Sequence, residues 1–484
     1  MTEFIRKAAC ALLCLVMPLA FLGCTSTPGS GSSGSGSSGG ASDSSGEEQI
    51  DYSTYGSYWF GVHDYKTMPV TAYNALPPAK YGYAKNFLTD ENMFIDYAKA
   101  GINTLMGLTD YIGENQQNIS TALDYAYEYG LAYLIAYSGA ANVTNAANVK
   151  GVLSRVMYHD AFAGIMLSDE PGRVMFDKLA TSRNVFSEAL SSVDEKLYHV
   201  NLFPTYANSR QLWYRTYTSS DVLPVESYSY EQYVEDFMTI YKPQVLSYDF
   251  YPITGSYPSL SDGYFENMSI IRRAALNANI PFWTYVQTCS FRNGQRLSTQ
   301  EDLNWNVNTC LAYGAKGIQY FCGVNPQSVA GGEQFSGSMF DVNGNKTEMY
   351  ERVKNINATI AAVDEYLMCS TSKGIILAGV TPLLNGGEDR MTVPESDLIA
   401  SYKELSGVTS DHALVGCFDY NGKTALYCVN NAVENDGEDG TDITLSFSKT
   451  VSGKVISAAG KVDFDGATLT KKVNAGDAFL VILD

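Results

Sequence analysis

The sequence predicts a (β/α)8 TIM barrel followed by a small C-terminal antiparallel β-sandwich. Eight short apolar runs alternate with amphipathic segments between Tyr58 and Gly323, and this stretch of about 265 residues has the usual length of such a barrel. Near-continuous apolar strands are what a buried parallel sheet requires. From residue 413 onward the pattern changes to alternation with a period of two. A doubly wound open sheet would carry a glycine-rich phosphate loop after its first strand, and the sequence has none there.

The individual elements follow from the period of the apolar residues. The predicted barrel strands are 58–62, 104–108, 132–136, 164–168, 198–202, 245–248, 282–286 and 317–321. The predicted helices include 90–100, 121–129, 265–278, 299–313 and 347–366. The predicted strands of the C-terminal part are 374–377, 443–447, 454–463, 467–473 and 479–483.

The first 24 residues have the layout of a secretory signal peptide, because Arg6 and Lys7 precede an apolar run that is too short for a convincing transmembrane helix. The end of that run, Phe21-Leu22-Gly23-Cys24, resembles the lipobox of bacterial lipoproteins. The resemblance implies that residues 1–23 are removed, that Cys24 carries lipid, and that the protein lies at the bacterial cell surface, outside the cytoplasm. The alternative is an ordinary secreted protein in which this cysteine is incidental.

The next segment, 24–50, is almost entirely serine, glycine and other small or acidic residues, which predicts a flexible tether. The remaining boundaries are 51–366 for the barrel and 367–484 for the β-sandwich. We expect the sandwich to brace the barrel rather than to bind a glycan.

The chain carries 32 basic and 52 acidic residues, a net charge of −20. Because phosphate binding needs clustered cations, this balance excludes nucleic acid as a partner. It also predicts no attraction to anionic lipid, so that any membrane contact is through the lipid anchor alone. Neutral or cationic ligands fit the charge better.

Six of the nine cysteines lie after the signal peptide and Cys24, and none has a metal-binding spacing, so we expect neither a metal nor a cofactor. A hairpin turn at Asn421-Gly422 places Cys417 opposite Leu426, which argues against a disulfide with Cys428. All six are predicted to be buried small apolar residues. The acidic turn at 341–344 is predicted to be a solvated loop rather than a calcium site.

In a (β/α)8 barrel the functional site lies at the C-terminal ends of the strands, and here those ends are polar. The candidate residues are His63, Asp110, Tyr137, Asp169, Glu170, Asn201, Tyr248, Asp249, Tyr251, Gln287 and Tyr320, with Trp283 within the seventh strand. Carboxylates and amides bind hydroxyl groups, and aromatic rings stack on sugar faces. The rim therefore suits a carbohydrate ligand. For His63 a structural role, and for Trp283 a core role, are the alternatives.

The segment from Phe162 to Pro171, which ends Ser168-Asp169-Glu170-Pro171, resembles the fourth strand of clan A glycoside hydrolases. In that clan the strand ends in an acidic residue or Asn, followed by the glutamate that serves as acid and base. Residues 248–252 and 316–321 are similar to a group of bacterial barrel lipoproteins related to glycosidases. The resemblance implies that Glu170 is the proton donor. The alternative is that residues 169–171 only cap a helix.

One departure from clan A concerns the nucleophile, a glutamate at the end of the seventh strand, where this sequence has Gln287. An amide cannot act as a carboxylate nucleophile. Either Asp249 supplies the second carboxylate, as base or nucleophile, or the acetamido group of the substrate attacks while Asp169 orients it, as in hexosaminidase and chitinase families. The function expected from the resemblance is hydrolysis of an extracellular oligo- or polysaccharide. A barrel that binds glycan without cleaving it is the alternative that Gln287 favours.

Overall fold

The computed structural model describes residues 64–291, 294–328, 333–384, 387–434 and 440–484. Eight parallel strands form a closed barrel, and an antiparallel sheet of seven strands follows it. Both parts of the predicted fold class are therefore confirmed.

The strands of the barrel follow one another in chain order, and the last closes on the first. They are β1 Val70–Tyr73, β2 Thr104–Met106, β3 Ala132–Ala136, β4 Phe162–Asp169, β5 Leu197–Leu202, β6 Leu246–Asp249, β7 Phe282–Gln287 and β9 Gly317–Phe321. Two short strands, β8 Ser290–Phe291 and β10 Phe335–Ser336, pair with each other above the barrel's C-terminal end. The helices are α1 Glu91–Lys99, α2 Ile112–Glu128, α3 Ala146–Leu153, α4 Phe176–Ala189, α5 Ser209–Tyr214, α6 Tyr230–Ile240, α7 Tyr264–Ala278, α8 Gln300–Tyr313 and α9 Glu348–Met368.

The first barrel strand is a correction to the sequence-based prediction. The position predicted for residues 58–62 is occupied by β1, which pairs with β2 and also with β9, where Val70 lies opposite Ile318. Residues 58–63 lie outside the described part of the chain. The strand Val70-Thr-Ala-Tyr73 is short and contains a buried Thr71, so its apolar signal is weaker than that of the run before it.

Alternation along each strand decides which side chains enter the barrel, because successive residues point to opposite faces of a sheet. One cluster of buried residues fills the interior, and it includes Tyr73, Leu134, Leu197, Trp283 and Tyr285. The residues between these positions face the helices. The same alternation continues to the strand ends and therefore selects the side chains that reach the barrel mouth.

The C-terminal sheet consists of long antiparallel strands around an apolar core. Its strands are β11 Thr371–Gly379, β12 Leu405–Thr409, β13 His412–Tyr420, β14 Lys423–Asn430, β15 Thr441–Ser457, β16 Gly460–Val473 and β17 Ala478–Leu483. The order is β11-β13-β14-β17-β15-β12, with β16 paired to β15. The predicted strand 454–463 is wrong, because the chain reverses between Ser457 and Gly460 and the alternation continues on both sides of that turn. The predicted domain boundary between 366 and 367 stays a prediction.

Helix α8 lies between the barrel and the sheet, and nearly all of its residues are buried. A helix that is covered on every side needs partners for its polar side chains. The Trp305 indole N–H donates to Asn431 at 2.8 Å, and the Tyr427 hydroxyl donates to Asn308 at 2.7 Å. At Gly416 on β13, a Cβ would lie 2.1 Å from the Ala312 carbonyl oxygen. The backbone of β13 is therefore in direct contact with the backbone of α8.

All six described cysteines are free and buried, and Cys417 lies opposite Leu426, as the turn at Asn421-Gly422 predicts. Among the helices that the structure describes, none has the length and apolar character needed to cross a membrane.

Lys316, just before β9, is a buried lysine that makes the stability of the fold depend on pH. Its ammonium group is buried and donates to the carbonyl oxygens of Leu367 and Ser370 near the end of α9, the second at 2.6 Å. Burial lowers the pKa of Lys316 from 10.5 to about 7. Between these two values the unfolded chain holds the extra proton, so the stability contributed by this group rises with pH.

We predict that the free energy of unfolding of the wild type, minus that of Lys316→Met, increases between pH 7 and 9.5. Urea denaturation at several pH values measures this difference. Lys423→Met, which removes an exposed lysine, should give a difference that does not change with pH. Parallel stability curves for the wild type and Lys316→Met would contradict the prediction.

Candidate active site at the barrel mouth

Three carboxyl groups converge at the C-terminal ends of β4 and β6. Asp169 is the last residue of β4 and Glu170 follows it, while Asp249 is the last residue of β6. Between them, at the inward-facing end of β5, lies Asn201. Its Nδ2 donates to Asp169 Oδ1 at 3.2 Å and to Asp249 Oδ1 at 3.3 Å. One amide nitrogen therefore bridges two acids.

A β-bulge in β4 directs Asp169 into the barrel. Met166 lies opposite His199 of β5, but the next pair along joins Ser168 to Val200, so that β4 contains one extra residue, Leu167. Asp169 consequently lies opposite Asn201. Without the extra residue, Ser168 would occupy that inward position, because a bulge shifts the alternation by one.

Glu170 has a left-handed backbone conformation with φ of 46°. A residue other than glycine pays roughly 1–2 kcal/mol for this conformation. The Glu170 N–H donates to the Asn201 carbonyl oxygen at 2.8 Å, and the Pro171 carbonyl accepts a hydrogen bond from Tyr233 at 2.7 Å. These two bonds fix the segment that turns Glu170 away from the strand direction.

Burial raises the pKa of each of these carboxyls, and repulsion by neighbouring acids adds to the rise for Glu170 and Asp249. The pKa of Glu170 is well above its ordinary value because of burial, then the charges of Asp249 and Asp169. Burial and Asp169 raise the pKa of Asp249 to about 8, and hydrogen bonds from Asn201 and Tyr251 oppose that rise. Burial also raises the pKa of Asp169, against the lowering effects of Arg215 and Asn201. Glu170 and Asp249 are thus the acids whose protonated forms the site favours most, and Asp169, whose ionised form Arg215 and Asn201 stabilise, is the group best placed to ionise.

Aromatic rings form the wall around the carboxyls. Tyr73 and Tyr285 meet edge to face with centroids 5.6 Å apart, and Phe321 lies 5.8 Å from Tyr73. Tyr251 contacts Phe291 at 5.3 Å and Phe321 at 5.6 Å. Such a wall excludes water from the acids, and burial is the main cause of their raised pKa values.

Arg215 is a cation at this site that the sequence analysis did not identify. It lies at φ 65° and ψ −66° just after α5, and the Thr216 N–H donates to the Tyr214 carbonyl at 2.9 Å. These values define a γ-turn of the rare, strained kind. The charge of Arg215 acts on Asp169 and Glu170. No motif in the sequence indicates this residue, because its place depends on the turn.

Three residues that were predicted to bind ligand face the helices instead of the barrel mouth. Alternation along the strands is the reason, and the prediction is wrong for these three. Tyr137 packs edge to face on Phe186 of α4, with centroids 5.1 Å apart. Tyr320 is fully buried and donates to Asn357 of α9 at 2.6 Å. Tyr248 is also fully buried, with its hydroxyl near Thr284 and Cys310. Each is the neighbour of an inward-facing residue, and sequence position alone did not separate the two faces.

The prediction that Asp110, Trp283 and Gln287 bind ligand is also wrong, because all three side chains are buried. Asp110 is buried, accepts a hydrogen bond from Tyr133, and has its pKa raised to about 6 by burial. Trp283 is buried inside the barrel beside His199. The Gln287 amide donates to the carbonyl oxygens of Ile253 and Arg296 at 3.2 and 2.7 Å. His63 lies outside the described residues.

The seventh strand contributes Tyr285 to the mouth instead of Gln287. The Asp169 and Asp249 charges both act on the Tyr285 hydroxyl, and burial raises its pKa well above 10. Among the described residues, no group of three or more His, Cys, Asp and Glu side chains is arranged to hold a metal ion. The expectation of no cofactor stays a prediction.

No family model matches the chain, and no curated protein matches it. Among solved structures, it is similar to a β-galactosidase from the psychrophilic Marinomonas ef1 (9% identity, TM-score 0.44, 65% of this chain), of which it spans 63%. It is similar to a family 39 glycoside hydrolase from Bacteroides cellulosilyticus (9%, TM-score 0.47, 87% of this chain and 82% of that one). A third is the GH51 arabinofuranosidase from Xanthomonas axonopodis pv. citri (9%, TM-score 0.43, 90% and 97%).

Gly172 allows the Arg215 turn to lie against the segment that carries Glu170. A Cβ at this glycine would lie 2.5 Å from both the Arg215 backbone nitrogen and the Tyr214 carbonyl carbon. We predict that Gly172→Ala destabilises the protein by about 1–3 kcal/mol, because the turn must move. Urea denaturation measures the loss. Gly151→Ala, a helical position with open space around it, should instead be neutral or stabilising. Equal effects of the two substitutions would show that the close approach does not matter.

Proposed function

We propose that this protein hydrolyses glycosidic bonds, with Glu170 as the general acid. The observation that carries the proposal is the position of Glu170 beside two other acids at the mouth of a closed barrel, where its pKa is raised well above the ordinary value. A carboxyl that keeps its proton near neutral pH can donate it to the leaving-group oxygen. The aromatic wall fits the apolar faces of sugar rings.

The second group is better supported as Asp169 than as Asp249. Asp249 is only 6% exposed and has a pKa of about 8, so at neutral pH it is a protonated, covered group and a weak nucleophile or base. Asp169 is half-buried, and the charge of Arg215 favours its ionised form. These observations support the alternative in which Asp169 orients an acetamido group of the substrate, which then attacks the sugar carbon. The proposed substrates are therefore N-acetylated oligo- or polysaccharides.

A second candidate function is capture of a glycan without cleavage. The seventh strand favours it, because the side chain that β7 sends to the mouth is Tyr285 and not a carboxylate. In this case the three acids and Asn201 would bind sugar hydroxyls. Binding and cleavage are separated by the variants below.

We predict that Glu170→Gln lowers kcat on aryl N-acetylglycosides by at least about a hundredfold, the usual contribution of a general acid. Glycan affinity, measured by calorimetry, should stay within a few-fold of the wild type, because an amide of the same shape still binds hydroxyls. If the wild type binds glycans and cleaves none of a panel of aryl glycosides, the second candidate replaces the first.

Matched variants of the two aspartates identify the second group. Asp169→Asn should reduce cleavage of N-acetylated substrates strongly, whereas Asp249→Asn should reduce it less, since Asp249 already carries its proton. If Asp249→Asn is the inactive variant and added azide restores turnover, giving a glycosyl azide of inverted anomeric configuration, Asp249 is the nucleophile instead.

We also propose that the mature protein is anchored at the bacterial cell surface through lipid on Cys24. The sequence Phe21-Leu22-Gly23-Cys24 after an apolar run supports this. We predict that Cys24→Ala abolishes incorporation of labelled fatty acid and moves the protein from the detergent phase to the aqueous phase in a detergent partition assay. Cys289→Ala serves as the control, and loss of label in both variants, or in neither, contradicts the anchor.

A further inference from the structure

A chain of hydrogen bonds crosses the barrel interior beneath the carboxyl cluster. Gln319 of β9 donates from Nε2 to the Ser247 hydroxyl at 2.8 Å, and Ser247 of β6 donates to Asn201 Oδ1 at 3.0 Å. Asn201 then donates to both Asp169 and Asp249. Gln319 and Ser247 are completely buried, and Asn201 is nearly so. We call these three residues the amide relay.

The orientation of the Gln319 amide sets the direction of every bond in the amide relay. The Gln319 Nε2 is a donor only, so the Ser247 oxygen accepts from it. Ser247 then has a single hydrogen left, which it donates to Asn201 Oδ1. With its oxygen held in this way, Asn201 must present Nδ2, and not Oδ1, to the two acids.

We propose that Ser247 and Gln319 are positioning residues which, through Asn201, fix the division of protons among Asp169, Asp249 and Glu170. The role in catalysis rests on the proposed glycosidase function, whereas the effect on protonation does not. Both residues are completely buried, so they act without touching a substrate. They act because they determine which end of one amide meets the acids.

The energetic reason is the contrast between the two orientations of Asn201. With Nδ2 toward the acids, two N–H groups stabilise negative charge that burial otherwise disfavours. With Oδ1 toward them, the amide oxygen would repel an ionised carboxylate and accept a hydrogen bond from a protonated carboxyl, so it would raise the pKa of the acids. Loss of the Ser247 hydroxyl removes the bond that selects the first orientation, and it also leaves Asn201 Oδ1 buried without its donor.

Other charged or titratable groups face the acids from the surrounding elements, and the experiment must hold them constant. They are Tyr73 of β1, Tyr230 and Tyr233 of α6, Tyr251 after β6, Tyr285 of β7, Arg215 after α5, and Glu333 before β10. None of these side chains belongs to the amide relay. Substitutions at Ser247 and Gln319 therefore leave the charge of the site unchanged.

The test is a titration of the aspartate carboxyls by carbon-13 NMR on selectively labelled full-length protein. The wild type is expected to show one aspartate that titrates near pH 8, assigned to Asp249 by its absence in Asp249→Asn. In Ser247→Ala this titration should move upward by about one pH unit, since a hydrogen bond to the charged form is weakened. Gln319→Leu should give a smaller shift in the same direction, because Ser247 keeps its hydroxyl.

Two further variants separate positioning from a general effect of losing a buried hydroxyl. Thr284→Val removes a hydroxyl that is equally buried on β7 but lies outside the amide relay, and it should leave the aspartate titration at its wild-type pH. Ser247→Thr restores the hydroxyl and should return the titration toward that of the wild type. An unchanged titration in Ser247→Ala, or an equal shift in Thr284→Val, overturns the proposal.

Activity measurements then distinguish the two proposals. If the wild type cleaves glycosides, the acidic limb of its pH profile should move to higher pH in Ser247→Ala, with kcat lowered more than KM is changed. If the wild type cleaves no glycoside but the aspartate titration shifts in Ser247→Ala, the role of the amide relay is supported and the hydrolase function is contradicted. If cleavage occurs and neither the titration nor the acidic limb moves, the hydrolase function stands and the amide relay is refuted.

Discussion

The sharing of one amide nitrogen by two carboxyl groups is the constraint on which the rest of the site depends. Two like charges at such close range in a site with little water cannot both be formed without cost, so at least one acid must keep its proton. Asn201 reduces that cost for Asp169 and Asp249 together. Because Glu170 experiences both charges, its own proton depends on how the pair is resolved. The site is therefore one coupled electrostatic unit and not three separate acids.

Three departures from regular backbone geometry lie at this unit. The bulge at Leu167 turns Asp169 inward, the left-handed conformation of Glu170 directs its carboxyl, and the γ-turn at Arg215 places a cation near both. Each departure costs free energy that the surrounding fold must offset, and such costs cluster at functional sites. The regular strands and helices of the barrel provide the rigid frame that tolerates them.

The barrel, most of its strands and the position of residues 169 and 170 at a strand end could be predicted from the sequence, because strand length, apolar pattern and the strand-end rule are local signals. The orientation of side chains at the strand ends could not. Tyr248 and Tyr320 are adjacent to Asp249 and Phe321, and only the register of the closed barrel shows which member of each pair enters it. Arg215 and Ser247 were missed because their roles depend on contacts between segments far apart in the chain.

The burial of α8 on two sides has a consequence for how the molecule loses its structure. The same helix completes the wall of the barrel and the floor of the C-terminal sheet, and at Gly416 the sheet touches its backbone directly. Neither layer can detach without uncovering the apolar side of a helix that the other layer still holds in place. Damage to the sheet would thus loosen the packing of α8 against β7, so the durability of the barrel depends on a layer outside it.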